Sequence, residues 1–161
     1  MLFSGPEIVA ELTSLGITDV VWIPDSEIGP WETALIAAPD LRLIRVCREG
    51  EAWPLAAGLH VGGRRPLVVI QTTGMFESGD ALRNALFDLQ LPILAIVGHR
   101  SYLVPNSPDS ARRFAEPILN AWGVNYRLIA SEADKPRLAE HFRACLVANQ
   151  PGFILLAEGS M

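Results

Sequence analysis

The sequence is poor in lysine and in long apolar runs. Of the 13 basic residues only Lys135 is a lysine, and the formal net charge is -5 at pH 7. We therefore expect no nucleic-acid partner, because phosphate binding needs a basic face. No apolar run approaches the roughly 20 residues that span a bilayer, so no membrane association is expected.

Cysteine is also scarce. Cys47 and Cys145 lie far apart in the sequence, and we expect both to be buried, reduced thiols that form neither a disulfide nor a metal site. The N-terminus has no basic stretch followed by an apolar core, so no signal peptide is expected. Together these features predict a cytoplasmic protein.

Half of the 161 residues are hydrophobic, which suits one domain with a substantial core. Short apolar segments alternate with segments of helical periodicity. The predicted strands cover residues 19–23, 41–46, 66–71, 92–97, 125–129 and 152–157, and the predicted helices 7–15, 28–38, 49–61, 79–89, 111–122 and 134–147. This alternation predicts an α/β fold over residues 1–161: three layers, doubly wound, with a mostly parallel six-stranded sheet and helices on both faces.

Ligands of such sheets bind beyond the carboxyl ends of the strands, which directs attention to the loops at 24–29, 47–51, 71–78 and 98–109. Each loop allows two interpretations. Asp25, Ser26 and Glu49 suit either a cleft or a helix N-terminus. Gly74 permits close approach by a ligand, or an ordinary turn. His99 suits proton transfer and Arg100 suits an acidic group, although such a pair is also common in solvated loops.

Several segments carry a resemblance when they are taken in order. They read VVWIPDS at 20–26, REGEA at 48–52, GRRPL at 63–67, QTTG at 71–74 with DAL at 80–82, and LPILAIVG at 91–98. Glu49 also precedes Gly58 by nine residues. Their order and spacing resemble the pyrimidine-binding domain of thiamine-diphosphate-dependent decarboxylases, most closely the sulfopyruvate and phosphonopyruvate decarboxylases.

The resemblance implies a role for each matching position. Glu49 would be the catalytic residue, sharing a proton with ring nitrogen N1' of thiamine diphosphate and so favouring the reactive tautomer of its aminopyrimidine. Besides Glu49, the resemblance assigns cofactor binding to Pro24, Thr72, Thr73 and Gly74.

The substrate side of the site follows from the same resemblance. Ser26 matches a substrate-facing position and Asp25 lies beside it, while His99 and Arg100 could meet the acidic tail of a small 2-oxo acid. Phe76 and Glu77 depart from the family, which usually has a glycine and an amide there. Such a carboxylate is expected to oppose a strongly anionic substrate.

The segment that binds the diphosphate through Mg²⁺ in such enzymes is missing. Its pattern is Gly-Asp-Gly or Gly-Asp-Ser with a later Asn, whereas Gly79-Asp80-Ala81 with Asn84 has the wrong spacing. We therefore expect no metal ligands here and a separate β subunit that carries the diphosphate and Mg²⁺ half, in a hetero-oligomer with at least two copies of each chain.

The sequence thus predicts the α subunit of a two-subunit 2-oxo acid decarboxylase. Two alternatives remain open: a carboligase subunit similar to acetolactate synthase, and a non-catalytic flavodoxin-like binding or assembly domain.

Overall fold

The computed structural model describes residues 1–159. Within that range the strands are β1 Asp19–Trp22, β2 Arg42–Arg45, β3 Pro66–Gln71, β4 Leu94–His99, β5 Tyr126–Ile129 and β6 Gly152–Ala157. The α-helices are α1 Gly5–Ser14, α2 Glu32–Ala37, α3 Glu49–Val61, α4 Thr72–Glu77, α5 Gly79–Arg83, α6 Ser110–Ala121 and α7 Pro136–Ala148. Of these described helices, none has the length and apolar character needed to cross a membrane.

All six strands are parallel and lie in the order β2-β1-β3-β4-β6-β5. The predicted fold class is therefore confirmed. The chain first adds β2 on one side of β1 and then places β3 on the other side. This change of direction creates a crevice beside the carboxyl ends of β1 and β3, where sheets of this kind bind ligands.

Helices cover both faces of the sheet because strand side chains alternate in direction. Along β1, Val20 and Trp22 join the core under α1, α2 and α7. Val21, between them, joins the core under α3, α4, α5 and α6. The four central strands β1, β3, β4 and β6 are thus buried on both faces, which explains their continuous apolar runs in the sequence.

A buried carboxylate ties together the amino ends of three neighbouring strands. Asp19 is fully buried and accepts hydrogen bonds from Arg42 Nε at 2.6 Å, Arg64 Nε at 2.8 Å and Thr18 Oγ1 at 2.7 Å. Burial raises the pKa of Asp19, but the bonds from Arg64, Thr18 and Arg42 outweigh it and lower the pKa below its usual value. Asp19 therefore stays ionised at neutral pH.

Three expectations about local structure were wrong. The segment 71–78 is not a loop, because α4 occupies Thr72–Glu77 and buries Met75 against the sheet. The segment predicted as one α-helix over 79–89 is α-helical only over Gly79–Arg83 and is followed by a π turn over Asn84–Asp88. Cys47 is exposed, and only Cys145 is buried.

Candidate active site

The first turn of α3 and the first turn of α4 meet at the carboxyl edge of the sheet. The Glu49 side chain lies directly over Gly74. A Cβ atom placed on Gly74 would stand 2.2 Å from Glu49 Cγ and 2.5 Å from Glu49 Oε1. Only a glycine leaves room for the glutamate in this position, so the structure brings together two residues that the sequence analysis assigned to one site.

Among residues 1–159, the Glu49 carboxylate has no hydrogen-bond or ion-pair partner, and the residue is half-buried. Its neighbour Glu51 accepts bonds from the backbone N–H groups of Cys47 at 3.0 Å and Arg48 at 3.4 Å. Glu51 thus satisfies the backbone donors that precede the helix. The capping interpretation fits Glu51, whereas Glu49 is left available to a ligand.

Glu77 fixes the turn that carries Glu49. Its Oε1 accepts from Arg48 Nη2 at 2.5 Å, and its Oε2 accepts from the backbone N–H of Gly50 at 2.8 Å. The bonds from Arg48 and Gly50 lower the pKa of Glu77 below its usual value, so this carboxylate is ionised and neutralised by Arg48. The expectation that Glu77 opposes an anionic substrate assumed a free carboxylate, which the structure does not show.

The two threonines of α4 have different surroundings. Thr72 is buried, and no partner for its hydroxyl is found in the described chain. Thr73 is exposed and donates from Oγ1 to Gln71 Oε1 at 3.1 Å. Both lie in the first turn of the helix that carries Gly74.

The loop after β1 exposes Pro24 and Ser26 but turns Asp25 inward. Asp25 Oδ1 accepts from the backbone N–H groups of Glu27 at 2.7 Å and Ile28 at 2.9 Å, while Oδ2 is buried. Pro24 and Ser26 are therefore accessible to a ligand. Asp25 shapes the turn between them and the next helix.

His99 and Arg100 are not free in a solvated loop. His99 is the last residue of β4, is 1% exposed and is covered by the Tyr102 ring at a centroid distance of 4.9 Å. Burial lowers its pKa, so the ring is neutral at pH 7. Arg100 Nε lies 3.0 Å from Asp109 Oδ2. A substrate would reach His99 only if the Tyr102 ring moved.

Glu49 is half-buried, so part of its side chain faces solvent. A cavity of about 440 Å³ opens at the amino ends of the strands beside Thr18 and Arg64, on the opposite edge of the sheet. Among residues 1–159, no three His, Cys, Asp or Glu side chains converge as a metal site, and the Asp80 carboxylate instead pairs with Arg83 at 3.0 Å. The arrangement is half of a site, open on one side.

Residues 5–106 match the family described as thiamine pyrophosphate enzyme, N-terminal TPP binding domain; thiamine pyrophosphate is another name for thiamine diphosphate. The chain belongs to this family. The match spans the loop after β1, Glu49, the start of α4 and the end of β4. It includes every position that the sequence analysis assigned to the site, and the expected kinship with thiamine-diphosphate enzymes is confirmed.

Several decarboxylases are similar to this chain in sequence. A phosphonopyruvate decarboxylase of Streptomyces viridochromogenes is 28% identical over 149 residues, covering 89% of this chain and 36% of that protein. The sulfopyruvate decarboxylase subunit alpha of Methanothermobacter thermautotrophicus is 28% identical over 97 residues, covering 60% of this chain and 59% of that protein. The match thus covers less than two thirds of each relative.

Solved structures of other proteins show the same fold. The benzoylformate decarboxylase of Polynucleobacter necessarius superposes with a TM-score of 0.74 at 24% identity, over 96% of this chain and 30% of that one. At this identity the likeness concerns the arrangement of helices and strands alone.

One residue at the carboxyl edge was missed by the sequence analysis. Glu158 follows β6 directly, is 1% exposed, and accepts from Gln71 Nε2 at 3.1 Å. The rule that selected the other loops also applies to the end of this last strand. A carboxylate directly after an apolar strand was the available signal.

Proposed function

We propose that this chain is the α subunit of a two-subunit, thiamine-diphosphate-dependent 2-oxo acid decarboxylase of the sulfopyruvate and phosphonopyruvate type. The observation that carries the proposal is the unpartnered Glu49 carboxylate over Gly74. We also infer a cytoplasmic location.

The residues at the carboxyl edge suit the aminopyrimidine half of the cofactor. An unpaired carboxyl group can hydrogen-bond a ring nitrogen, and the Cβ-free backbone of Gly74 lets a flat ring come close. Thr73 and Pro24 add an exposed hydroxyl and an exposed apolar ring. When bound, thiamine diphosphate supplies a carbon that adds to a 2-oxo group and accepts the electron pair left by carbon dioxide.

Glu49 holds and returns a proton at the ring nitrogen. Its side chain packs against Gly74, and its helix turn is fixed by the hydrogen bonds that Glu77 accepts from Arg48 and Gly50. This fixed geometry limits the positions that the carboxyl group can take. A partner that covers its exposed side would exclude water and favour the shared proton.

A partner subunit would supply the other half of the site. We propose a β subunit that binds the diphosphate and Mg²⁺, in a hetero-oligomer with at least two copies of each chain. Three relatives that match this chain are alpha subunits of sulfopyruvate decarboxylases. The solvent-facing, unpartnered carboxylate of Glu49 also supports a subunit interface at this position. The purified chain alone is expected to bind thiamine diphosphate weakly.

The substrate is proposed to be a small acidic 2-oxo acid. The exposed hydroxyl of Ser26, in the loop after β1, is the group of this chain that we propose faces the substrate. Two cations near this edge are already paired, Arg48 with Glu77 and Arg100 with Asp109. We propose that the acidic tail binds Arg100 after it leaves Asp109, or a cation of the β subunit.

The test is the Glu49→Gln variant, assembled with the chain that carries the diphosphate-binding half. We expect turnover of sulfopyruvate or phosphonopyruvate to fall by about 10²–10⁴-fold while assembly is unchanged. Glu140→Gln, on the exposed face of α7, is the matched control. Unchanged turnover would support a non-catalytic domain, and a carboligation product would support the acetolactate-synthase-like alternative.

A further inference from the structure

Two carboxyl groups from distant parts of the chain meet at the carboxyl edge of the sheet. Glu158 reaches from the end of β6 across β4, where Gly98 has no side chain to block it. A Cβ atom on Gly98 would lie 1.9 Å from Glu158 Oε1 and 3.1 Å from Asp25 Oδ2. The absence of a side chain at Gly98 is therefore what allows Glu158 and Asp25 to approach each other.

The facing oxygens of the two groups lack a donor. Asp25 Oδ2 and Glu158 Oε1 are buried and have no hydrogen-bond donor within residues 1–159. Their other oxygens are used: Asp25 Oδ1 accepts from the backbone of Glu27 and Ile28, and Glu158 Oε2 accepts from Gln71. Two ionised carboxylates would repel each other here, whereas one proton placed between them satisfies both oxygens.

The pair lies within a chain of hydrogen bonds that joins two segments of the candidate site. Thr73 Oγ1 donates to Gln71 Oε1, and Gln71 Nε2 donates to Glu158 Oε2. Glu158 Oε1 in turn lies beside Asp25 Oδ2 above Gly98, and Asp25 Oδ1 accepts from the backbone of Glu27 and Ile28. These contacts therefore run from the first turn of α4 to the loop after β1, across the ends of four neighbouring strands, β1, β3, β4 and β6.

We propose that Glu158 is a positioning residue: it shares one proton with Asp25 and thereby holds the Pro24–Ser26 loop in register with Thr73. The functional part of this inference rests on the proposed function, since these two segments would face cofactor and substrate. The shared proton itself depends only on the fold. Glu158 has no role in the family resemblance described above.

The surroundings of Glu158 favour retention of that proton. Burial, the charge of Asp25 and the hydrogen bond with Asp25 raise the pKa of Glu158 to about 9, against a smaller opposite effect of Gln71. Glu27 adds a further negative charge, and the N-terminal ammonium lies 3.3 Å from Glu27. The pair is therefore protonated once at neutral pH and loses its proton only in alkaline solution.

Carboxyl ¹³C NMR of the full chain tests the shared proton. We expect one glutamate carboxyl to titrate near pH 9 and its resonance to vanish in Glu158→Gln, with Glu140→Gln as control. In Asp25→Asn the amide can donate to Glu158, so the titration should return to the acidic range. If every glutamate titrates below pH 7, there is no shared proton and the proposal is wrong.

Hydrogen exchange tests the positioning role without enzyme activity. The Glu27 and Ile28 amides bond to Asp25 Oδ1 and report on the loop. After correction for intrinsic rates, their protection should fall by about tenfold or more between pH 8 and 10 in the wild type, and by less than about threefold in Glu158→Gln. Equal protection in both proteins at pH 10 would overturn the positioning role, even if the NMR titration succeeds.

The assembled enzyme gives a separate functional readout. Because the amide of Glu158→Gln can donate permanently to Asp25, this variant should keep kcat/KM within about threefold of the wild type at pH 7. For the wild type we expect KM to rise in alkaline solution as the shared proton is lost, and Glu158→Gln should lack this rise. A complex without decarboxylase activity would refute the proposed function but leave the NMR and exchange results to decide the shared proton and the loop.

Discussion

The contact between Glu49 and Gly74 allows a test in which the catalytic residue itself is unchanged. In Gly74→Ala the new methyl group would stand 2.2 Å from Glu49 Cγ, far inside ordinary contact. Gly74 does not have a positive φ, so alanine suits its backbone. The side chain of Glu49 must therefore move by about 1 Å or more, and a displacement of that size can cost about 100-fold in rate.

The matched control is Gly58→Ala, in the helix that begins with Glu49. A Cβ atom at Gly58 would meet nothing within 4 Å. Alanine is the better helix former, so this variant should be more stable by about 0.5–1 kcal/mol. Its turnover should equal that of the wild type, because the first turn of α3 is unchanged.

Two measurements on the same proteins separate displacement from unfolding. Urea unfolding should place Gly74→Ala within about 1 kcal/mol of the wild type, since the gain in helix propensity offsets part of the repacking. In the assembled enzyme its turnover should fall by about 100-fold, and the Glu49→Gln/Gly74→Ala double variant should be little worse than Glu49→Gln alone. Wild-type turnover in a folded Gly74→Ala protein would refute the placement of Glu49.

Three further predictions concern other carboxylates. Because the pKa of Glu158 is raised, the folded state holds a proton that the unfolded chain has lost above pH 4.5. Between pH 7 and 8.5 the free energy of unfolding, measured by urea titration, should therefore fall by about 1.4 kcal/mol per pH unit in the wild type and stay constant in Glu158→Gln. A constant free energy of unfolding in the wild type would contradict this. Asp19→Asn leaves Arg42 and Arg64 without their buried anion and should lower the free energy of unfolding by about 3 kcal/mol at pH 7. Since the pKa of Asp19 is lowered, that difference should shrink as the pH falls through its folded pKa, and a pH-independent difference would contradict the ion pair. Glu77→Gln should loosen the first turn of α3, so kcat should fall by about tenfold while the midpoint of urea unfolding changes little. An unchanged kcat would show that Glu77 does not position that turn.

The strongly apolar strands and the long helices could be predicted from the sequence. Helix α3 at Glu49–Val61 and strands Pro66–Gln71 and Gly152–Ala157 begin and end at the predicted residues. Continuous apolar runs and glycine or proline boundaries determine these segments locally. The segment Thr72–Glu77 was predicted as a loop because its glycine suggested a turn, whereas the tertiary packing of Met75 makes it a helix.

The interactions that organise the site depend on contacts between distant residues. Arg48 and Glu77 are 29 residues apart, and Gln71 and Glu158 are 87 apart. His99 was predicted to lie in the loop at 98–109, but it extends β4 because it pairs with Ala157. Composition and local spacing carry no information on such pairings. The position of Glu158 after an apolar strand could have indicated a site residue, but not its contact with Asp25 or Gln71.

The central claim is that the Glu49 carboxyl group activates the cofactor. The most direct measurement is the rate at which the C2 proton of thiamine diphosphate exchanges with D₂O in the assembled complex, by rapid quench and proton NMR. If Glu49 holds a proton at the ring nitrogen, Glu49→Gln should slow this exchange by about 10²-fold or more without preventing cofactor binding. Equal exchange rates in the wild type and in Glu49→Gln would contradict the assignment.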